Sequence, residues 1–269
     1  MQSISAVSLT SNVNAWLANS RQPRVLHVFE HACNLINEHK DVLSVVSQGI
    51  GDGPFNLVVE DNVVFLDHLR LEFPIFNSLN LLKIGELTIN TQNARLWAPR
   101  PNWENLHRRR DDISRVLLTN YQFSNSPVSS LPMALVNADI NGSINATKNL
   151  AGLGIGLTPS GDDFIMGAIL AAWIIHPADV VAILAAEVTE VAAALTTSLS
   201  GAWLRSAGKG EAGILWHRFF DALLSVEPTV LQESMDKILS IGETSGADAL
   251  FGFVSLLVAW SVEVRTEHG

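Results

Sequence analysis

The sequence predicts an α+β chain, with a β-rich part over residues 1–123 and an all-helical part over 133–269. Three observations lead there. Short β-branched runs separated by Gly, Pro and Asn fill the first part. From about Asn149 onward the chain turns Ala-, Leu- and Ile-rich with helical periodicity. Between them, Ser124 to Pro132 has the Ser, Asn and Pro content of a linker.

In chain order, Val42–Val46, Leu57–Val59 and Val63–Leu66 read as strands, with Glu60-Asp61-Asn62 as a hairpin turn between the last two. The loop Gly49-Ile50-Gly51-Asp52-Gly53-Pro54-Phe55-Asn56 reads either as a plain connection or as a pocket lining of backbone N–H groups. Leu81–Ile89 and Ala94–Trp97 form a further pair around Asn90 to Asn93. Such spacing suggests an antiparallel sheet or small barrel. A charged helix follows over Trp103–Leu118. The second part holds helices over Gly161–Ile175, Pro177–Thr197, Glu211–Leu224, Pro228–Ser240 and Gly246–Val264. Pro177 and Pro228 sit where a first helical turn accepts proline, and Gly242 is placed to end the fourth helix.

Composition removes several functions. A net charge of −10 speaks against nucleic acid, whose phosphates must be neutralised by Lys and Arg. It also speaks against an anionic membrane surface. The apolar runs Ile165–Ile175 and Ala249–Trp260 fall short of the roughly 20 residues a spanning helix needs. The one cysteine, Cys33, forms no internal disulfide and reads as a packing residue of a reducing compartment. With no signal peptide in view, a cytoplasmic location is expected.

The most informative segment runs Gly152-Leu153-Gly154-Ile155-Gly156-Leu157-Thr158-Pro159-Ser160-Gly161-Asp162-Asp163-Phe164-Ile165-Met166-Gly167. A second, Gly242-Glu243-Thr244-Ser245-Gly246-Ala247-Asp248-Ala249-Leu250-Phe251-Gly252, shares the pattern Ser-Gly-x-Asp-x-x-x-Gly. A helix start exposes unpaired N–H groups and a partial positive charge, so it attracts anions. Two such starts facing each other would clamp a small dianion. The aspartates Asp162, Asp163 and Asp248 would orient a substrate amide, move a proton or hold a divalent cation. The plain alternative is a capping box, with Asp in place of Glu or Gln, and glycines that only permit close packing. Neither a phosphate-binding P-loop nor a dinucleotide fingerprint is present, so no nucleotide cofactor is expected.

Other segments carry two readings. Trp97-Ala98-Pro99-Arg100-Pro101-Asn102-Trp103 either presents Arg100 to an anion or is a surface loop with packed tryptophans. Arg108, Arg109 and Arg110 read as a solvated helix face. Ser198, Ser200, Gly201, Arg205, Lys209 and Gly210 could form a third polar rim of the motif site. His27, His31 and His39 do not make a metal signature.

The run from Gly152 to Phe164, with Thr244-Ser245-Gly246-Ala247-Asp248, resembles the hallmark of the AllH family, formerly classed as a domain of unknown function. The resemblance spans most of the chain. It implies a subunit of oxamate carbamoyltransferase in allantoin breakdown and purine catabolism, acting with other subunits, one of them FdrA-like. The implied reaction moves a carbamoyl group from oxalurate to phosphate, giving oxamate and carbamoyl phosphate. On that reading Thr158, Ser160, Gly161, Thr244, Ser245, Gly246 and Arg100 bind the anionic substrate, and Asp162, Asp163 and Asp248 are the polar or acid–base groups. Two other functions stand beside it: a non-catalytic anion-sensing or scaffold subunit, and a metal-dependent hydrolase using the aspartates.

Overall fold

Gln-Ser-Ile-Ser-Ala-Val-Ser-Leu forms β1 (Gln2–Leu9), with Ile4, Ala6 and Ser8 buried on one side and Ser3, Ser5 and Val7 exposed on the other. The structure is a computed structural model and describes residues 2–60, 63–120, 130–225 and 227–267. The chain divides into two compact units, Met1–Pro99 and Arg100–Gly269.

In the first unit β1 leads into α1 (Ser11–Asn19). Thr10 caps this helix by accepting from the Val13 N–H at 3.2 Å, and Val13, Trp16 and Leu17 are its buried stripe. Then come β2 (Arg24–Val28), β3 (Ala32–Ile36), β4 (Val42–Ser47), β5 (Asn56–Val59), α2 (Phe65–His68), β6 (Ile75–Ser78), β7 (Leu81–Ile84), β8 (Leu87–Asn90) and β9 (Arg95–Leu96). The sheet order is β2-β3-β4-β5-β1-β8-β7-β6, with β9 also on β1. β1 is the pivot. Its first half pairs with β8 and its end with β9, both parallel, while its other edge pairs antiparallel with β5 across a register irregularity at Ala6 and Ser8. The result is a nearly closed strand-rich sheet.

Several sequence expectations shift here. Val63–Leu66 is not a strand: Phe65 opens α2 and packs into the core, fully buried. Asp61 and Asn62 of the expected turn lie outside the described residues. Leu81–Ile89 is a hairpin in itself, because Gly85 at φ +56° turns β7 back onto β8. β9 therefore pairs with β1 rather than with that run. The loop from Gly49 to Asn56 is a tied connection between the parallel strands β4 and β5. Asp52 accepts from Ser8 and from Arg95 at 2.8 Å, and the Pro54 carbonyl accepts from Thr10. Cys33 is fully buried in β3, and burial pushes its thiol up to about 12.

The second unit comprises α3 (Trp103–Arg108), α4 (Arg110–Asn120), α5 (Ser130–Val136), α6 (Ile140–Leu150), α7 (Ser160–Ile175), α8 (Ala178–Ala194), α9 (Ser198–Gly208), α10 (Ile214–Ser225), α11 (Pro228–Leu239) and α12 (Ser245–Glu267). The expected helix from Trp103 breaks at Arg109. It belongs with this second unit, since the Trp103 indole stacks on Trp173 and meets Phe220 edge-on. Residues 124–129 of the expected linker lie outside the described residues, while Ser130 to Pro132 open α5. Every residue of α7 except Ser160 and Met166 is buried, as an all-round apolar helix must be. α12 is long and apolar enough to cross a membrane, but most of that length is buried and packs on α7.

Candidate functional site

The two Ser-Gly-x-Asp segments open α7 and α12, and the likeness extends to their surroundings. Each follows another helix and a loop, as α6–loop–α7 and α11–loop–α12. A Cβ on Gly161 would lie 2.0 Å from the Leu150 carbonyl, and one on Gly246 would lie 1.8 Å from the Ile238 carbonyl. In both, the end of the preceding helix presses its backbone onto the motif glycine. The Gly161 N–H donates to Leu153 O at 2.9 Å and the Gly246 N–H to Ile241 O at 3.0 Å. These two N–H groups are therefore engaged by loop carbonyls.

The helices cross with the same reciprocity. A Cβ on Gly167 would meet the Ala249 carbonyl at 1.7 Å, and one on Gly252 the Phe164 carbonyl at 2.0 Å. Phe164 and Ala249 are equivalent positions of the repeat, so each helix opens a notch for the other's backbone. That contact brings the two helix starts together. The hydroxyls of Thr158 and Ser245 lie 2.9 Å apart.

Two carboxyl groups share this place. Asp163 is only 7% exposed, and its Oδ2 is buried with no hydrogen-bond partner among the described residues. Asp248, the equivalent residue, also has a buried Oδ2 without a partner among them. Burial raises the Asp163 carboxyl to about 7; the Ser245 hydrogen bond opposes this, and the charges of Asp248 and Asp162 add to it. At neutral pH Asp163 is thus poised between acid and base. An orphaned buried oxygen on each of two facing carboxyls is a costly arrangement unless a ligand supplies donors.

Asp162 behaves differently. Its Oδ1 accepts from the Gly152 N–H at 2.8 Å. Its Oδ2 accepts from the Ser200 hydroxyl at 2.7 Å and from the Thr196 hydroxyl. Only 1% exposed and fully partnered, it ties the start of the glycine-rich loop to the start of α9. The loop needs its glycines: Gly152, Gly154 and Gly156 all have positive φ. Thr197 closes the tie by donating to Leu157 O at 2.6 Å while capping α9 through the Ser200 N–H.

The capping-box alternative does not hold for α7. Pro159 is its N-cap, Ser160 is already the first helical residue and exposed, and the Asp162 and Asp163 N–H groups donate to Pro159 O. Thr244, also exposed, accepts the Asp248 N–H at 2.9 Å through its carbonyl. Arg100 is not brought to the motifs. It stacks 4.7 Å over the Trp173 ring and donates to Lys209 O, about 20 Å along α7 from Ser160 at 1.5 Å per residue. Of the proposed third rim, Ser200 reaches the site through Asp162, whereas Arg205 pairs with Glu190. Arg108, Arg109 and Arg110 are occupied by Glu104, Leu224 O and His107 O. Thr196 and Thr197 escaped sequence reading, although Thr197 at the head of Ser-Leu-Ser-Gly is a legible N-cap.

The donor set is two carboxyls and two hydroxyls. Among the described residues, no three His, Cys, Asp or Glu side chains converge as a metal set. The unpaired carboxyl oxygens suit N–H donors of a ureido or amide group, and the hydroxyls suit its carbonyl. Comparison with known families finds two matches. The model described as oxamate carbamoyltransferase subunit AllH matches residues 150–257, which contain both motifs. The AllH family N-terminal domain matches residues 5–96, the strand-rich unit. No solved structure matches the chain.

Proposed function

This chain belongs to the AllH family of oxamate carbamoyltransferase subunits, and from that premise we propose that it holds the carbamoyl group between Asp163, Asp248, Thr158 and Ser245. The observation that carries the reading is the pair of orphaned oxygens, Asp163 Oδ2 and Asp248 Oδ2, at equivalent places on two joined helix starts. Oxalurate offers ureido N–H groups to such acceptors. Phosphate approaches from the exposed edge at Ser160 and Thr244, where the dipoles of α7 and α12 present their positive ends.

The proton balance of the transfer fits one proton on two carboxyls. A phosphate oxygen bonds to the carbamoyl carbon, and the bond from that carbon to the oxamate nitrogen breaks. Asp163 gives its proton to the leaving nitrogen, while Asp248 takes the proton of hydrogen phosphate. Oxamate and carbamoyl phosphate leave, and the proton returns from one carboxyl to the other. The reverse reaction uses the same pair with roles exchanged. The partner subunits, an FdrA-like one among them, complete the enzyme, in a cytoplasmic setting that suits the free, buried Cys33.

The test is turnover by the reconstituted complex. Asp163→Asn and Asp248→Asn each lower kcat by about 10²–10⁴-fold, the range for lost acid–base catalysis, while assembly is retained. Wild-type turnover in an assembled Asn variant overturns the reading. A metal-dependent hydrolase lacks a third acidic or imidazole ligand among the described residues.

A further inference from the structure

We infer that the glycine-rich loop 152–159 and the apolar edges beside it seat a different, basic subunit of the same enzyme, which brings the cation that the carboxyl pair lacks. This rests on the carboxyl-pair reading for its electrostatics, but the surface stands on its own observations.

Ile155 is 96% exposed and Leu153 60% exposed, on the loop that feeds α7. Leu195 and Ile241 add exposed apolar edges. Leu153 and Ile241 sit beside the two motif glycines whose helix starts meet through Thr158 and Ser245, and Leu195 lies beside the first glycine of the loop that carries Ile155. Leu153 Cβ lies 3.2 Å from the position of a Cβ on Gly161, Ile241 Cβ lies 3.3 Å from that on Gly246, and Leu195 O lies 2.7 Å from that on Gly152. A single exposed apolar residue is ordinary, but several ringing one site mark a contact surface.

The loop is held rather than loose. The Gly152 N–H is fixed by Asp162, Leu153 O by the Gly161 N–H, and Leu157 O by Thr197. Ile155 is thus a preformed knob, and docking on it loses little conformational entropy.

Charge selects the occupant. The chain carries −10, and the substrate of the proposed function is anionic as well. Among the described residues, no ion pair or hydrogen bond joins a Lys or Arg side chain to Thr158, Asp162, Asp163, Ser245 or Asp248. Arg100 is at the far end of α7 and Arg205 is paired with Glu190. A second copy of this chain, or an anionic lipid surface, would add like charge. A distinct subunit with an apolar pocket rimmed by Lys or Arg satisfies both the patch and the deficit.

The experiment uses the full chain and the purified partner subunits of oxamate carbamoyltransferase, with affinity measured at low and high salt. Ile155→Asp weakens assembly on the order of 30-fold, the effect of removing a hot-spot anchor. Its own thermal unfolding is unchanged, because the side chain is exposed. Wild-type affinity falls as salt rises. Three results overturn the inference: wild-type affinity in Ile155→Asp, assembly indifferent to salt, or a homodimer of this chain that Ile155→Asp breaks. Asp163→Asn leaves the loop intact and assembles normally. Its turnover judges the carboxyl pair, and the Ile155→Asp affinity judges the docking surface.

Discussion

Gly167 and Gly252 occupy equivalent places on two crossing helices, and each makes room for a carbonyl of the other, from Ala249 and Phe164. This backbone-to-backbone contact brings the α7 and α12 starts, and with them Asp163 and Asp248, to one place.

Filling either notch should break the crossing. Gly167→Ala and Gly252→Ala put a methyl carbon 1.7 Å and 2.0 Å from a carbonyl oxygen, so the helices must separate. Overpacking of this kind costs about 1–3 kcal/mol or more, and the site geometry goes with it. Gly156→Ala is the control: a Cβ there meets nothing within 4 Å, and only its φ of +94° opposes the change. Its expected cost is about 1 kcal/mol. Urea unfolding of the three variants checks the order.

Asp162 and Asp163 are neighbours with opposite expected behaviour. Asp162→Ala leaves the Gly152 N–H and the Thr196 and Ser200 hydroxyls without their acceptor. Buried unpaired groups cost about 1–3 kcal/mol each, so stability should fall sharply. Asp163→Asn leaves the Asp162 anchors of the loop in place and should lower turnover far more than stability. Comparing the melting temperature with kcat for both variants separates the roles.

The raised Asp163 carboxyl sets a sign for pH dependence. Unfolded, the group titrates near 3.9; folded, near 7. Between these values the native state keeps a proton that the unfolded chain has released. Stability contributed by this group is therefore present at low pH and lost as pH rises from about 4 to about 7, with a slope of up to about 1.4 kcal/mol per unit. Asp163→Asn should abolish that component, so its stability relative to wild type improves from pH 4 to pH 8. Denaturant curves at four pH values across this range would show it, and an unchanged difference would contradict it.

Arg100→Ala should act on stability rather than on substrate. The guanidinium stacks on Trp173 and holds Lys209 O, so its removal costs about 0.5–1 kcal/mol. The KM of the assembled enzyme should stay at its wild-type value.

Thr158 and Ser245 can be tested as a pair. Thr158→Val and Ser245→Ala in a double-mutant cycle should show a coupling of about 0.5–1.5 kcal/mol, the net worth of one hydrogen bond. Strict additivity would mean that the two hydroxyls do not meet in solution.

The sequence alone determined the α+β class, the long helices and the twin Ser-Gly-x-Asp segments, because hydrophobic period and glycine placement are local properties. β1 and α1 escaped sequence reading, although Thr10 ahead of Val13, Trp16 and Leu17 is a local helix-start signal. Tertiary structure decided the rest. Gly161 and Gly246 read locally as openings for a ligand, yet Leu150 O and Ile238 O approach them and loop carbonyls take their N–H groups. Asp162 and Asp163 are adjacent in the chain, and only the fold sends one to Gly152, Thr196 and Ser200 and leaves the other facing Asp248. The physical reason is that burial, pKa and hydrogen-bond partnership depend on which distant segment packs against a residue, and in this chain that was set by two glycine notches.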